Sequence, residues 1–182
     1  MARGSIGRRG TNRVIPIWGT HVAIFVGRHE QKMDRKGRVS VPALFRDTLG
    51  KQATFYAFPS FSHSGVECRT DAYMEDLSDQ IENLDPFSDE QDHLSGAIFG
   101  KSHPLTPDKE GRVVLPDALC RHAGITERVV FVGLGKSFQL WEPEQHDTYQ
   151  KQVQDRALAD RQALRRRPQA KLDPSRPVES GT

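Results

Sequence analysis

The sequence has little cysteine, and neither Cys68 nor Cys120 lies in a CxxC pair. This pattern excludes a zinc ribbon and a disulfide framework, and it favours a reducing, cytosolic compartment. Long apolar runs are also missing, because the longest stretch near the start, 14–26, contains proline and polar residues. We therefore expect no signal peptide and no membrane span, and we predict a cytoplasmic protein.

Catalytic and metal-binding patterns are missing as well. The seven histidines are dispersed, with no His-Glu-x-x-His motif and no pair at i, i+4. The glycines of 133–137 resemble the end of a phosphate-binding loop, but Val130 stands where that loop needs another glycine. A hairpin turn explains this segment better. We therefore expect that the protein is not an enzyme and that it binds no metal, no cofactor and no small-molecule substrate.

Net charge is small, but it is segregated along the chain. Hydrophobic residues make up 36% of the sequence and the formal net charge is +2, so nucleic-acid affinity must come from local clusters. Four arginines and no acid precede Val22, whereas the segment 71–92 holds nine acids and no Lys or Arg.

An internal repeat organises the chain. An offset of 74 residues aligns 24–50 with 98–124, and nine positions are identical. The identical pairs are Ile24 and Ile98, Phe25 and Phe99, His29 and His103, Asp34 and Asp108, Gly37 and Gly111, Arg38 and Arg112, Val39 and Val113, Pro42 and Pro116, and Gly50 and Gly124. Two such small units in tandem should bury their apolar faces against each other as a covalently linked pseudo-dimer.

Each repeat predicts the same local structure. Asp34 to Gly37 and Asp108 to Gly111 have the chemistry of a type I turn followed by a glycine bulge, which indicates a hairpin. After the turns we predict short strands at 38–41 and 112–115 and two-turn helices at 42–49 and 116–123, each beginning with proline and followed by glycine. Return strands are predicted at 53–58 and 128–134, the second leading into a further strand at 137–141.

A helical spacer is predicted between the repeats. Four apolar residues at helical spacing face inward and four acids face outward, and Asp85-Pro86 ends this helix. The apolar set is Tyr73, Leu77, Ile81 and Leu84, and the acidic set is Asp71, Glu75, Asp79 and Glu82. Ser88 and Gln91 predict the start of a second helix that runs to about Phe99.

The resulting domain organisation has six parts. We predict a basic, disordered N-terminal extension at 1–23, a first repeat at 24–75, a helical linker at 76–97 and a second repeat at 98–145. A helical C-terminal segment at 146–167 and a disordered, proline-containing tail at 168–182 complete the chain.

The doubled Asp-x-x-Gly-Arg-x-x-x-Pro pattern, at 34–42 and 108–116, resembles that of the MraZ transcriptional regulators. The resemblance covers about 24–149. It implies a mainly β fold with short helices (α+β), in which two tandem AbrB-type swapped-hairpin units form a pseudo-dimeric double-split β-barrel. It also implies a nucleoid-associated, ring-shaped homo-oligomer. Such a ring would bind repeated boxes in double-stranded DNA upstream of the cell division and cell wall gene cluster, including its own gene.

At residue level the resemblance assigns DNA contact to Arg38 and Arg112, with the basic neighbours Arg35, Lys36 and Lys109. Glu110 stands where the first turn has Lys36, and Cys120 stands at the register of Arg46. We therefore expect the first turn to be the stronger DNA contact. Two other interpretations stay open. In the first interpretation, four residues serve only to form the tight turns: Asp34, Gly37, Asp108 and Gly111. In the second, each arginine braces its own hairpin by pairing with the turn aspartate.

A second functional class is an antitoxin-like protein-interaction module, since AbrB-type units also occur in antitoxins. Such proteins grip a toxin through a tail that folds on binding. Leu172 and Val178 are the only large apolar anchors in the tail, which argues against this class. The extension 1–23 is either a basic arm or the result of an upstream start codon. The arginines of 161–167 contact phosphate or solvate a helix end.

Overall fold

A computed structural model describes residues 24–50 and 54–160 of the chain. The predictions made for 1–23, 161–167 and 168–182 lie outside the described residues. The described strands are β1 (Arg28–Lys32), β2 (Arg38–Ser40), β3 (Phe55–Pro59), β4 (Val66–Thr70), β5 (His103–Leu105), β6 (Arg112–Val114), β7 (Arg128–Gly133) and β8 (Phe138–Trp141). The described helices are α1 (Ala43–Leu49), α2 (Asp71–Glu82), α3 (Asp89–Ile98), α4 (Asp117–Ala123) and α5 (Pro143–Asp160), with a 3₁₀ turn at Phe99–Lys101.

The strands form two antiparallel sheets. A six-stranded sheet has the order β1-β7-β8-β4-β3-β5, and β2 pairs with β6 in a separate two-stranded ribbon. Helices connect and cover these sheets, so the chain has the mainly β, α+β architecture that the sequence predicted.

Strands are exchanged between the two repeats. β1 of the first repeat pairs with β7 of the second, and β5 of the second pairs with β3 of the first. His29 lies opposite Phe131 and His103 lies opposite Ala57, so the two pairings have the same register after the 74-residue offset. The repeats are therefore related by a pseudo-two-fold axis. Neither repeat completes its own sheet, in keeping with the small core available to each.

The core lies where the exchanged strands meet the helices. Phe45 of α1 is fully buried, and its ring lies 5.3 Å from that of Phe25, 6.0 Å from Phe131 and 5.2 Å from Phe138. Edge-to-face packing of this kind suits the charge distribution of aromatic rings. Because each such side chain contributes roughly 1.5–3 kcal/mol on burial, this cluster stabilises both repeats together.

The short helices start one residue later than predicted. Pro42 and Pro116 cap α1 and α4 with ψ values of 141° and 139°, which are extended, so the helices begin at the following residues. Proline still sets the entry of the chain, because its ring fixes φ near the helical value. Gly124 ends α4 with a left-handed φ of 64°.

The spacer helices confirm most of the predicted pattern. Ile81 is buried and the four predicted outer acids are exposed. Met74 is buried too, whereas Leu84, predicted to face inward, is 36% exposed because it lies beyond the end of α2. The side chain of Ser88 accepts a hydrogen bond from the Gln91 backbone N–H at 3.2 Å, which confirms the predicted helix start.

Strand bounds differ modestly from prediction, and β4 was not predicted. β2, β6 and β7 each end one residue before the predicted bound, while β3 and β8 begin within their predicted ranges. β4 has the sequence VECRT, an alternation of apolar and polar residues that is too short to stand out, and its pairing with β8 depends on the tertiary fold. The domain bounds stay a prediction. No helix in the described ranges has the length and apolar character needed to cross a membrane.

Candidate nucleic-acid interface

The first Asp-x-x-Gly turn is closed by its aspartate. Oδ1 of Asp34 accepts the backbone N–H groups of Lys36 at 2.8 Å and Arg38 at 3.0 Å, and the carbonyl of Asp34 accepts the N–H of Gly37 at 3.0 Å. Gly37 has a φ of 73°, which favours glycine. The backbone N–H of Arg38, followed by its guanidinium, lowers the pKa of Asp34 from 3.8 to about 2.

The second turn repeats these hydrogen bonds. Oδ1 of Asp108 accepts the backbone N–H groups of Glu110 and Arg112, both at 2.9 Å. Gly111 has a φ of 75° and donates its N–H to the Asp108 carbonyl at 2.8 Å. The pKa of Asp108 is lowered, first by the backbone N–H of Arg112. Both turns therefore have the closing hydrogen bond and the left-handed glycine that the predicted turn requires.

Strand exchange brings the two turns to one ribbon. Arg38 of β2 lies opposite Val114 of β6, and Ser40 lies opposite Arg112. Side chains alternate across a strand, and the intervening valines at positions 39 and 113 are buried, so these four side chains share the outer face. Arg38 and Arg112 are diagonal neighbours, a relation in which residues lie roughly 7–8 Å apart and their Cβ atoms somewhat closer. We call this the ribbon face.

Each ribbon arginine is also held by its own turn. Nε of Arg38 donates to Oδ2 of Asp34 at 2.7 Å, and Nε of Arg112 donates to Oδ2 of Asp108 at 3.2 Å. The bracing interpretation of the sequence is therefore correct. The two arginine side chains nevertheless keep 37% and 31% of their surface exposed, so the braced arginines still present their outer atoms to solvent.

The remaining predicted basic residues lie at the tips of the turns. Arg35, Lys36 and Lys109 are exposed. Among the described residues, none of the three is in an ion pair. They can therefore reach a polyanion without first breaking an ion pair within the protein.

Arg46 was not among the predicted site residues, although its guanidinium adds a positive charge to this site. Its Nη1 donates to the Glu110 carbonyl at 3.5 Å, and a Cβ on Gly111 would overlap the guanidinium. Arg46 belongs to the first repeat but lies against the second turn. The charge of Arg46 was expected to favour the first turn, whereas its contact is with the second.

The glycine-rich segment after β7 is a hairpin turn, as predicted. The N–H of Leu134 donates to the Ser137 carbonyl at 2.8 Å, and β7 continues into β8. No set of three or more His, Cys, Asp or Glu side chains is arranged to hold a metal ion within 24–50 and 54–160.

Comparison with known proteins identifies the family. A family model described as "MraZ protein, putative antitoxin-like" matches residues 98–166. A protein named Transcriptional regulator MraZ from Rickettsia akari is 39% identical over 144 residues, which cover 78% of this chain and 97% of that protein. The chain belongs to the MraZ family.

Two further members of the family agree. The Transcriptional regulator MraZ of Rickettsia bellii is 43% identical over 135 residues, covering 73% of this chain and 90% of its own. The protein of that name from Gluconacetobacter diazotrophicus is 41% identical over 127 residues, covering 67% and 80% respectively. The family resemblance carried by the doubled turn motif is thus confirmed.

Proposed function

We propose that this chain is a sequence-specific transcriptional regulator that binds double-stranded DNA through the ribbon face and its two turns. The observation that carries this proposal is the pairing of β2 with β6, which sets two partly exposed arginines from different repeats on one face. Its relatives are named transcriptional regulators, which supports the same function.

The proposed contacts divide into two kinds. The exposed residues Arg35, Lys36 and Lys109 bind phosphates, and the counterions released by these contacts make binding strongly dependent on salt. Arg38 reads a base edge, because a two-stranded ribbon fits the major groove and an arginine pairs with guanine through two hydrogen bonds. One such pair discriminates against a wrong base by about 1–3 kcal/mol. Arg112, which Asp108 and Glu110 both hold, makes the weaker contact, with phosphate.

Arg38 is the better placed of the two arginines. Only its Nε contacts an acid in the described part of the chain, so Nη1 and Nη2 remain available for a base. The first turn also carries Arg35 and Lys36, both exposed. We therefore propose that the first turn makes the stronger contact.

The proposed assembly is a ring-shaped homo-oligomer on repeated promoter boxes. Several ribbon faces held at fixed spacing raise the effective concentration of each for the next box. The target we propose is the promoter of the cell division and cell wall gene cluster, including the gene of this chain, and the location is the cytoplasm at the nucleoid. Within each chain, strand exchange supports two AbrB-type swapped-hairpin units in a double-split β-barrel, with repeats at 24–75 and 98–145.

The test is binding of the full-length protein to its own upstream DNA and to a scrambled duplex across a salt series. Arg38→Ala should weaken specific binding by roughly 5- to 150-fold, which corresponds to the loss of one arginine–guanine pair. Arg156→Ala, an exposed position on α5 with the same loss of charge, is the matched control. Unchanged affinity in folded Arg38→Ala would contradict the proposal.

The alternative function is that of an antitoxin-like protein-interaction module, a term that the family description contains. It requires a stoichiometric protein partner that copurifies with the chain. It also requires that wild-type protein, folded and oligomeric, show no preference for the upstream duplex at low salt.

A further inference from the structure

The two turns differ at one position that faces the ribbon arginine. The first turn has Lys36, whereas the second has Glu110, whose carboxylate contacts Nη2 of Arg112. Asp108 contacts the same nitrogen at 3.2 Å, so Arg112 is held by two acids while Arg38 is held by one. The Glu110 side chain is 66% exposed, which places its charge at the surface that DNA would approach.

Closure of the turn does not require this acid. The first turn makes the same backbone and aspartate hydrogen bonds with a lysine at the equivalent position. The first turn is thus an internal control within the same chain. The side chain of Glu110 adds an ion pair to Arg112 without adding a bond that the hairpin needs.

We propose that Glu110 is an internal competitor for DNA phosphate, pairing with Arg112 and holding the second turn out of full contact. The proposal rests on the proposed DNA-binding function. DNA must displace Glu110 before Arg112 is available, and the carboxylate also repels the incoming phosphates. The two turns therefore contribute unequally, with the first engaging DNA at lower cost.

The expected effect of removing the acid is an increase in affinity. Glu110→Ala should tighten DNA binding by about two- to fivefold per chain, the range expected for one exposed ion pair. If Arg112 gains a phosphate contact, the slope of log affinity against log salt should steepen by about 0.9. Glu110→Lys, which reproduces Lys36, should tighten binding further.

The control must match the change in net charge. Glu90→Ala removes an exposed acid from α3 and, among the described residues, breaks no ion pair. Full-length wild type, Glu110→Ala and Glu90→Ala are compared on the upstream duplex, on a scrambled duplex and by elution from heparin. Arg112→Ala is made in both the wild-type and Glu110→Ala backgrounds. It should lower DNA affinity little in the wild-type background and more in the Glu110→Ala background.

The outcomes separate the inference from the function on which it rests. Glu110→Ala behaving like Glu90→Ala on both duplexes and on heparin would overturn the inference. Weaker binding together with a lower melting temperature would show that Glu110 braces the hairpin instead. Failure of wild type to prefer the upstream duplex would overturn the proposed function alone, because the scrambled duplex and heparin still report competition for phosphate.

Discussion

Replacing Gly133 with alanine tests the close approach of the two repeats, where the end of β7 meets the backbone of 25–27. A Cβ at this position would lie closer than 3.0 Å to backbone atoms of Phe25 and Val26, which cannot rotate away as a side chain could. The N–H of Gly133 also donates to the Gly27 carbonyl at 2.9 Å. The segment 25–27 must therefore shift as a unit and carry the Phe25 ring with it. That ring is 2% exposed, and its centroid lies 4.8 Å from that of the Phe138 ring.

The expected loss of stability in Gly133→Ala lies between two limits. Overpacking alone costs about 1–3 kcal/mol, and loss of a buried phenylalanine from its site costs about 3–5 kcal/mol. We expect Gly133→Ala to lower the free energy of unfolding by about 2–5 kcal/mol. Chemical denaturation at fixed protein concentration measures this, since the stability of a protein that self-associates depends on concentration.

A matched glycine should respond in the opposite direction. Gly96 lies inside α3, and a Cβ added there would meet no atom within 4 Å, so Gly96→Ala should stabilise the protein by about 0.5–1 kcal/mol. The reasoning would be refuted by a Gly133→Ala protein within about 1 kcal/mol of wild type at an unchanged denaturant slope.

Two further predictions concern the turns. The pKa of Asp34 is about 2 in the folded chain against 3.8 ordinarily, so its contribution to stability is present above pH 4 and is lost as pH falls toward 2. Between pH 5 and 2 the melting temperature of wild type should fall more than that of Asp34→Asn, and parallel curves would contradict this. Cys120→Arg should place near the first turn the charge that Arg46 places near the second, raising the salt needed to elute the protein from heparin. Elution at the wild-type salt concentration would show that the pseudo-two-fold relation does not extend to this side chain.

Local features were predictable because their causes are local. Asp34 and Gly37 determine the turn through hydrogen bonds and a left-handed φ that involve only neighbouring residues. The prolines before α1 and α4 and the Ser88 cap act over one to three residues. The mainly β class was implied by the family resemblance that the doubled turn motif carries.

Features that depend on pairing partners were not predictable in the same way. β4 alternates apolar and polar residues over only five positions, and its own sequence does not specify that it pairs with β3 on one side and β8 on the other. The contact of Arg46 with the second turn was not predicted either. This contact joins residues 64 positions apart in different repeats, so no local signal indicates it.

The sequence by itself determined the repeat, the two turns, the short helices and the identity of the basic residues. These depend on backbone preferences and hydrogen bonds that close within a few residues. Only the tertiary structure decided that β2 pairs with β6, and so that Arg38 and Arg112 share one face. The physical reason is that each repeat is too small to bury a core alone, so its strands find partners in the other repeat, and no local signal specifies which strand of the other repeat each one meets.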